Sequence, residues 1–340
     1  MIRHVRHDQL DRPQWDALIN QAPNGLIYAL TWYLDAASPG WEALIKEEAG
    51  RYVAVLPLPV RRRFGFAYLQ QPLLTQQLGL FYAAEAPPTA TDWQQIGALL
   101  RQKFRFITRY SFNTANTPGL ASTPLGPADN AFKRTVGTTY HLSLRATYTD
   151  LLAGYTYNQR WYLKKARRTG VLAEPTTDIE QLISLFKENT SGKITGGVGD
   201  EAYQLLRKLY ADASQAKLAT MWQARLASGE IGAIILLFHF KNKIIYMFSA
   251  ANGAGKKAGA ASVLLDEVFR TYAGQDLCFD FEAPPAESVT HFYRSFGPEA
   301  APFLTISLNR LPWPVRQLRA ARMAVVQRLP PRPASDTSGG

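Results

Sequence analysis

The sequence predicts an α+β protein in two domains, cut near residue 146. Three observations carry this. The 340 residues exceed the roughly 100–200 of a single domain. Both halves interleave short period-two stretches with amphipathic runs of helical period. Neighbouring strands are joined by tight turns, which makes each sheet mixed and mostly antiparallel, with helices flanking it. A hydrophobic share of 46% and an aromatic share of 12% are enough for real cores and exclude general disorder.

In the first half, Ile2–His7 alternates as a short strand. Asp11 then caps a helix that carries Pro13 early and Trp15, Leu18 and Ile19 on one face. Two strands, Trp41–Glu48 and Tyr52–Arg63, flank the turn Ala49-Gly50. Pro57 and Pro59 give the second strand an edge position or an irregular end. A Gln- and Pro-rich loop follows at Gln70–Gln77. Thr91–Lys103 reads as a helix, and Phe104–Phe112 and Thr138–Leu144 as strands.

The second half predicts a helix over Tyr148–Thr169 closed by Gly170, then helices over Ile179–Asn189 and Asp200–Ser214. Alternating strands follow at Ala216–Leu226, Ile231–Phe240 and Lys243–Ala250. A Gly/Ala/Lys segment leads into a helix over Ser262–Tyr272. Strand Leu277–Phe281, helix Glu287–Ser295 and strand Phe303–Leu308 close the fold. The expected domains are 1–146 and 147–309, followed by a basic helical tail and disordered end over 310–340.

The net charge of 38 − 27 = +11 is concentrated in two places. Residues 151–173 hold five bases and no acid, and Arg310–Gly340 holds six Arg and one Asp. A uniformly basic nucleic-acid coat is therefore excluded. The single cysteine, Cys278, permits no internal disulfide and no cysteine-rich zinc site, and no metal is expected. The N-terminus shows no secretory signal, and the most apolar run, Ile231–Phe240, is too short to span a bilayer. A soluble cytoplasmic protein is the expectation.

Four segments point to chemistry. Lys256-Lys257-Ala258-Gly259-Ala260-Ala261, between a strand and a helix, would leave backbone N–H groups open to a phosphate or pyrophosphate; a close-packed turn is the plainer alternative. In Cys278-Phe279-Asp280-Phe281-Glu282, alternation would put both carboxylates on one face as acid/base candidates, against a solvated strand face or a helix cap. Tyr293, four residues before Gly297, could donate a proton to a leaving thiolate, while Phe292 and Phe296 pack the same helix into the core. Arg160, Lys164, Arg167 and Arg168 share one helical face near Tyr155, Tyr157, Trp161 and Tyr162. They could grip a phosphate-bearing substrate or form a solvated charged face.

Taken in order, these segments resemble a tandem GNAT-type acyltransferase of the FemAB-like and BioF2-like group. In the first half the resemblance rests on Val53–Val60, Tyr68–Pro72 and Gln77–Phe81. In the second it rests on Lys164–Val171, Asp280-Phe281-Glu282 and Phe292–Gly297. It implies that Lys256, Lys257, Gly259, Ala260 and Ala261 hold the pyrophosphate of acyl-CoA and that Tyr293 protonates its thiolate. Asp280 or Glu282 would take the proton of the attacking amine, and backbone N–H groups near Phe248–Ala250 would hold the oxyanion. Arg294 stands where FemAB-type enzymes more often carry Lys beside the reacting carbonyl, and Pro298 departs from the usual Gly-Phe. The implied activity is N-acyl transfer from acyl-CoA to a small-molecule or peptide amine. The alternatives are a FemAB-like aminoacyltransferase using aminoacyl-tRNA and a peptidoglycan-precursor peptide, and a non-catalytic GNAT-like binding protein. Arg316, Arg319 and Arg322 line one side of a tail helix over 313–329, which either docks on its own domain or lies on anionic lipid at the inner face of the membrane.

Overall fold

A computed structural model describes residues 1–63, 65–122, 125, 131–193, 197–315 and 317. The first elements are β1 (Ile2–Val5), α1 (Arg12–Gln21), α2 (Thr31–Ala37), β2 (Glu42–Glu48), β3 (Arg51–Leu58), β4 (Val60–Arg63), β5 (Phe66–Leu69), β6 (Phe81–Tyr82), α3 (Ala90–Lys103), β7 (Phe106–Ser111) and α4 (Thr117–Ser122). Next come β8 (Lys133–Ser143), α5 (Tyr148–Gly154), α6 (Tyr157–Arg168), β9 (Leu172–Thr176), α7 (Ile179–Asn189), α8 (Asp200–Gln215), β10 (Ala219–Arg225), β11 (Ile231–Phe240) and β12 (Lys243–Ala251). The last are α9 (Gly253–Ala258), α10 (Ala260–Tyr272), β13 (Cys278–Asp280), α11 (Glu287–Arg294) and β14 (Glu299–Asn309). Among the described residues, no helix is long and apolar enough to cross a membrane.

The chain groups into two compact units, Met1–Thr139 with Ala300–Pro312, and Tyr140–Glu299 with the few described residues after Pro312. The change of unit falls at 139/140, whereas the sequence reading cuts near 146. The closing strand departs from expectation: β14 pairs antiparallel with β7, Thr305 opposite Ser111, so it completes the first unit rather than the second. Of the tail helix expected over 313–329, all but Trp313–Val315 and Gln317 lies outside the described residues.

In the first unit one sheet runs β1-β2-β3-β6, and β4, β5, β7 and β14 are hydrogen-bonded in that order. Pro59 stands between β3 and β4, so the long strand expected over Tyr52–Arg63 is split where the chain leaves one set of strands for the other. Asp11 accepts the Gln14 N–H at 3.0 Å and caps α1, and Thr89 with Asp92 forms a capping box on α3.

In the second unit the strands run β13-β12-β11-β10-β9, antiparallel except for the β12–β13 pair. The end of β8 is antiparallel to β13, His141 opposite Asp280. Helix α10 lies in the core through Val263, Leu264, Leu265, Val268 and Phe269. Phe269 meets Phe279 (4.9 Å between ring centroids) and Phe296 (5.5 Å), and Phe296 meets Tyr155 (5.1 Å). These rings tie β13, α10, α11 and the α5–α6 turn together.

The helix expected over Tyr148–Thr169 is broken at Tyr155-Thr156. Thr156 caps α6 by accepting the Gln159 N–H at 3.3 Å, and the Arg160 guanidinium turns back to the carbonyls of Ala153 (2.9 Å) and Tyr155 (2.7 Å). That guanidinium satisfies carbonyls at the end of α5, which fixes the break.

Candidate active site

The site is built around the β12–β13 pair, the one parallel strand contact among the described residues of the second unit. β12 and β13 pair from Lys243–Cys278 to Ile245–Asp280, and there the pairing ends. β13 stops, whereas β12 runs on to Ala251 along β11. A register shift in that outer ladder falls where Phe248 and Tyr246 face consecutive residues of β11, so Met247 is a bulge that re-aims the strand. The Phe248–Ala250 backbone expected to hold an oxyanion lies on this free-running part of β12.

Tyr293 comes to this place from α11. Its ring stands edge-on to Tyr246 of β12 at 5.7 Å and beside Phe281 at 4.9 Å. Only 7% of the residue is exposed, and burial, then the neighbouring Tyr246, holds its phenol well above the ordinary range. Tyr246 is itself pushed up to about 12 by burial. Both phenols are therefore proton-bearing groups at neutral pH.

Phe279 and Phe281 face the core as the alternation predicts, both fully buried. The carboxylates do not share one strand face, because the strand ends between them. Asp280 is buried; its Oδ2 lies 3.1 Å from His141 Nε2, and its Oδ1 accepts the Glu282 N–H at 3.0 Å. Glu282 has φ +47, the left-handed region that costs a side-chain-bearing residue roughly 1–2 kcal/mol. Asp280 thus holds the turn that presents Glu282, and Glu282 is partly exposed where Asp280 is not.

Arg294 is not brought to the site. It lies exposed on α11, and its Nη2 donates to Glu287 Oε1 at 2.6 Å, a helix-surface pair. The 256–261 segment also differs from expectation: it is helix, a single left-handed residue, then helix. Lys256 and Lys257 are exposed at the end of α9, Gly259 has φ +74, and α10 begins at Ala260. Asn252 caps α9 by accepting the Gly255 N–H at 2.7 Å, so the N–H groups left for an anion are those opening α10, at Ala260 and Ala261. A Cβ on Gly259 would meet Ala166 Cβ at 3.3 Å, so the glycine lets α6 lie close to this helix start.

Arg160, Lys164, Arg167 and Arg168 are brought together, with Leu152 and Leu163, around a cleft of about 480 Å³. Two of the four have structural duties. Arg160 caps α5, and Arg167 pairs with the fully buried Asp266 of α10, which also accepts hydrogen bonds from Tyr148 (3.0 Å) and Tyr155 (3.0 Å). Burial pushes the Asp266 carboxyl up, against the pull of Arg167 and the two phenols. Lys164 and Arg168 are exposed, leaving the groove positive. Among the described residues, no group of three or more His, Cys, Asp and Glu could hold a metal ion.

Residues 153–287 match the family profile described as the acetyltransferase (GNAT) domain. FemX aligns over 91% of this chain and 98% of its own, at 14% identity and a TM-score of 0.60. A tandem GNAT protein from the clavulanic acid biosynthesis pathway, solved without AcCoA, aligns over 92% and 99% at 13% identity and a TM-score of 0.53. L-PGS from Bacillus licheniformis aligns over 95% and 98% at 13% identity and a TM-score of 0.50. The chain has the tandem GNAT fold. No curated protein matches the sequence.

In this GNAT unit the residues that sequence reasoning missed are the partners of those it singled out. Tyr246 was hidden within an apolar strand, and Asp266 within a helix whose other buried positions are apolar apart from Ser262. His141 closes on Asp280 from a strand far away in sequence. Periodicity reports which face a residue occupies and carries no information on such cross-element pairs.

Proposed function

We propose that the chain is an amine N-acyltransferase that takes its acyl group from acyl-CoA. The observation that carries this reading is the end of the β12–β13 pairing at Ile245–Asp280, with the buried Tyr293 packed on Tyr246 and Phe281 there and the Glu282 turn following directly in the chain. The amine nitrogen attacks the thioester carbon, and charge collects on the carbonyl oxygen beside the Phe248–Ala250 backbone. As the C–S bond breaks, the sulfur takes the Tyr293 proton, while Glu282 takes the proton of the new ammonium. Asp280 is a positioning residue for Glu282. Lys256, Lys257 and the N–H groups of Ala260 and Ala261 after Gly259 would hold the CoA pyrophosphate. The groove of Arg160, Lys164, Arg167 and Arg168 takes a phosphate group.

The cytoplasm, where acyl-CoA is found, is the compartment this reading requires. The strongly cationic groove also favours a second donor, aminoacyl-tRNA, with a peptide acceptor. Thermal shift separates the two. Stabilisation by acetyl-CoA or longer acyl-CoAs and none by charged tRNA is expected, and the reverse pattern selects the second donor. Acyl transfer that is undiminished in both Tyr293→Phe and Glu282→Gln would sink the catalytic assignment.

A further inference from the structure

We infer that the solvent face of α6 is a membrane-docking surface, and that the phosphate its groove takes is the headgroup phosphate of an anionic phospholipid. This rests on the reading of the groove as a phosphate site and adds the identity of the phosphate bearer.

The groove has a cationic rim and an apolar floor. Arg160 and Arg167 are locked in place by the α5 carbonyls and by Asp266, and Lys164 and Arg168 project as exposed cations. Leu152 and Leu163 line the same cleft. A free phosphate needs only the rim. A phospholipid headgroup also offers the glycerol and ester carbons that leucines accommodate.

The remainder of the same helical face supports the assignment. Tyr157 (74% exposed), Trp161 (51%) and Tyr162 (55%) are among the most exposed large hydrophobic residues described. Tyr157, Trp161 and Lys165 follow at i, i+4 and i+8, beside the row Arg160, Lys164, Arg168. The Lys165 ammonium lies 5.4 Å from the Trp161 ring centre, and Trp161 stands edge-on to Tyr162 at 5.0 Å. Trp and Tyr with Lys and Arg, and no acid anywhere in residues 151–173, is the composition that settles at an anionic lipid–water boundary. The same rings could stack on bases. The leucine floor favours lipid, because a nucleic-acid backbone brings only charge and sugar to that spot.

The test is co-sedimentation of the full chain with vesicles of phosphatidylcholine alone and of phosphatidylcholine with 30 mol% phosphatidylglycerol. Binding to the anionic vesicles only is expected. Each cation near the surface contributes about fivefold, so K164Q/R168Q should weaken binding by about 25-fold. Trp161→Ala should weaken it several-fold further. Glycerol 3-phosphate at millimolar concentration should not displace the vesicles. Binding that ignores lipid charge, or is unchanged in these variants, overturns the inference. So does displacement by glycerol 3-phosphate, or by a single-stranded RNA oligonucleotide whose own binding falls in K164Q/R168Q. Vesicle binding and the acyl-CoA thermal shift are both read on the unaltered chain as separate measurements, so either reading can fail while the other stands.

Discussion

Tyr246 of β12 and Tyr293 of α11 meet edge to face at 5.7 Å, one residue past the last rung between β12 and β13. Burial raises both phenols, so each keeps its proton through neutral pH. Tyr293→Phe preserves the ring packing against Phe281 and removes only the proton donor. The expected loss in kcat is about 10²–10⁴-fold, the range for a general acid, with an unchanged unfolding midpoint. Steady-state kinetics beside thermal denaturation checks it. An unchanged kcat removes Tyr293 from the mechanism.

Asp266 is the point where α10 receives α5 and α6. Removing its carboxylate leaves the Arg167 guanidinium without its acid and the Tyr148 and Tyr155 hydroxyls without their acceptor. Breaking a buried pair from one side costs about 3–5 kcal/mol; the half-exposed Arg167 keeps Asp266→Ala near about 3 kcal/mol. Urea unfolding should show this as a lower midpoint. A loss below about 1 kcal/mol would mean that the cluster does not hold α6 to α10.

Acid should weaken the first unit in two steps. His4 is held below its ordinary 6.5 by burial, so the unfolded chain takes up its proton first and stability falls as the pH drops below about 6.5. Burial pushes Glu42 up, but hydrogen bonds from His4, Lys103 and Arg62 more than offset it and leave the carboxyl below its ordinary 4.5. Its contribution is present above about 4.5 and is lost as the pH falls through its lower folded value. Denaturation midpoints from pH 8 to 3 test this. His4→Gln should remove the upper step and keep the lower one.

Much of the fold was legible because its signals are local. The Asp11 cap, the α7 and α8 stripes and the hairpins at Ala49-Gly50 and Lys241–Lys243 each declare themselves within a few residues. The placement of β14 was not legible, since a closing strand reads the same whichever unit it completes. The α9 helix was hidden by its glycines, whose low helix propensity is overcome by the Asn252 cap and by Gly255 packing on Gly232. At the candidate site, spacing singled out Tyr293 and Gly297 but could not foresee that the strand would end at Asp280.

The glycine of that spacing has its own test. Gly297 has φ +78, and a Cβ there would lie 2.6 Å from the Gly154 carbonyl oxygen at the end of α5. Gly297→Ala meets both the left-handed cost of about 1–2 kcal/mol and a backbone clash. A loss larger than the conformational cost alone is expected in urea unfolding. A loss of only about 1 kcal/mol would show that the α5–α11 contact yields easily.

Glu282 provides the sharpest separation of function from stability. A non-glycine residue at φ +47 carries conformational strain, and the chain retains it where the proposed base stands. Glu282→Gly removes the strain while raising the entropy of the unfolded chain, and these effects nearly cancel. The glycine variant should therefore be about as stable as the parent. Glu282→Gln retains the strain and the side-chain shape but cannot take a proton. Acyl transfer should fall in both variants, by about 10²-fold or more, and the low-pH limb of kcat/KM should disappear in the residual activity. If Glu282→Gly unfolds more readily and Glu282→Gln stays fully active, the carboxylate serves the turn rather than the reaction.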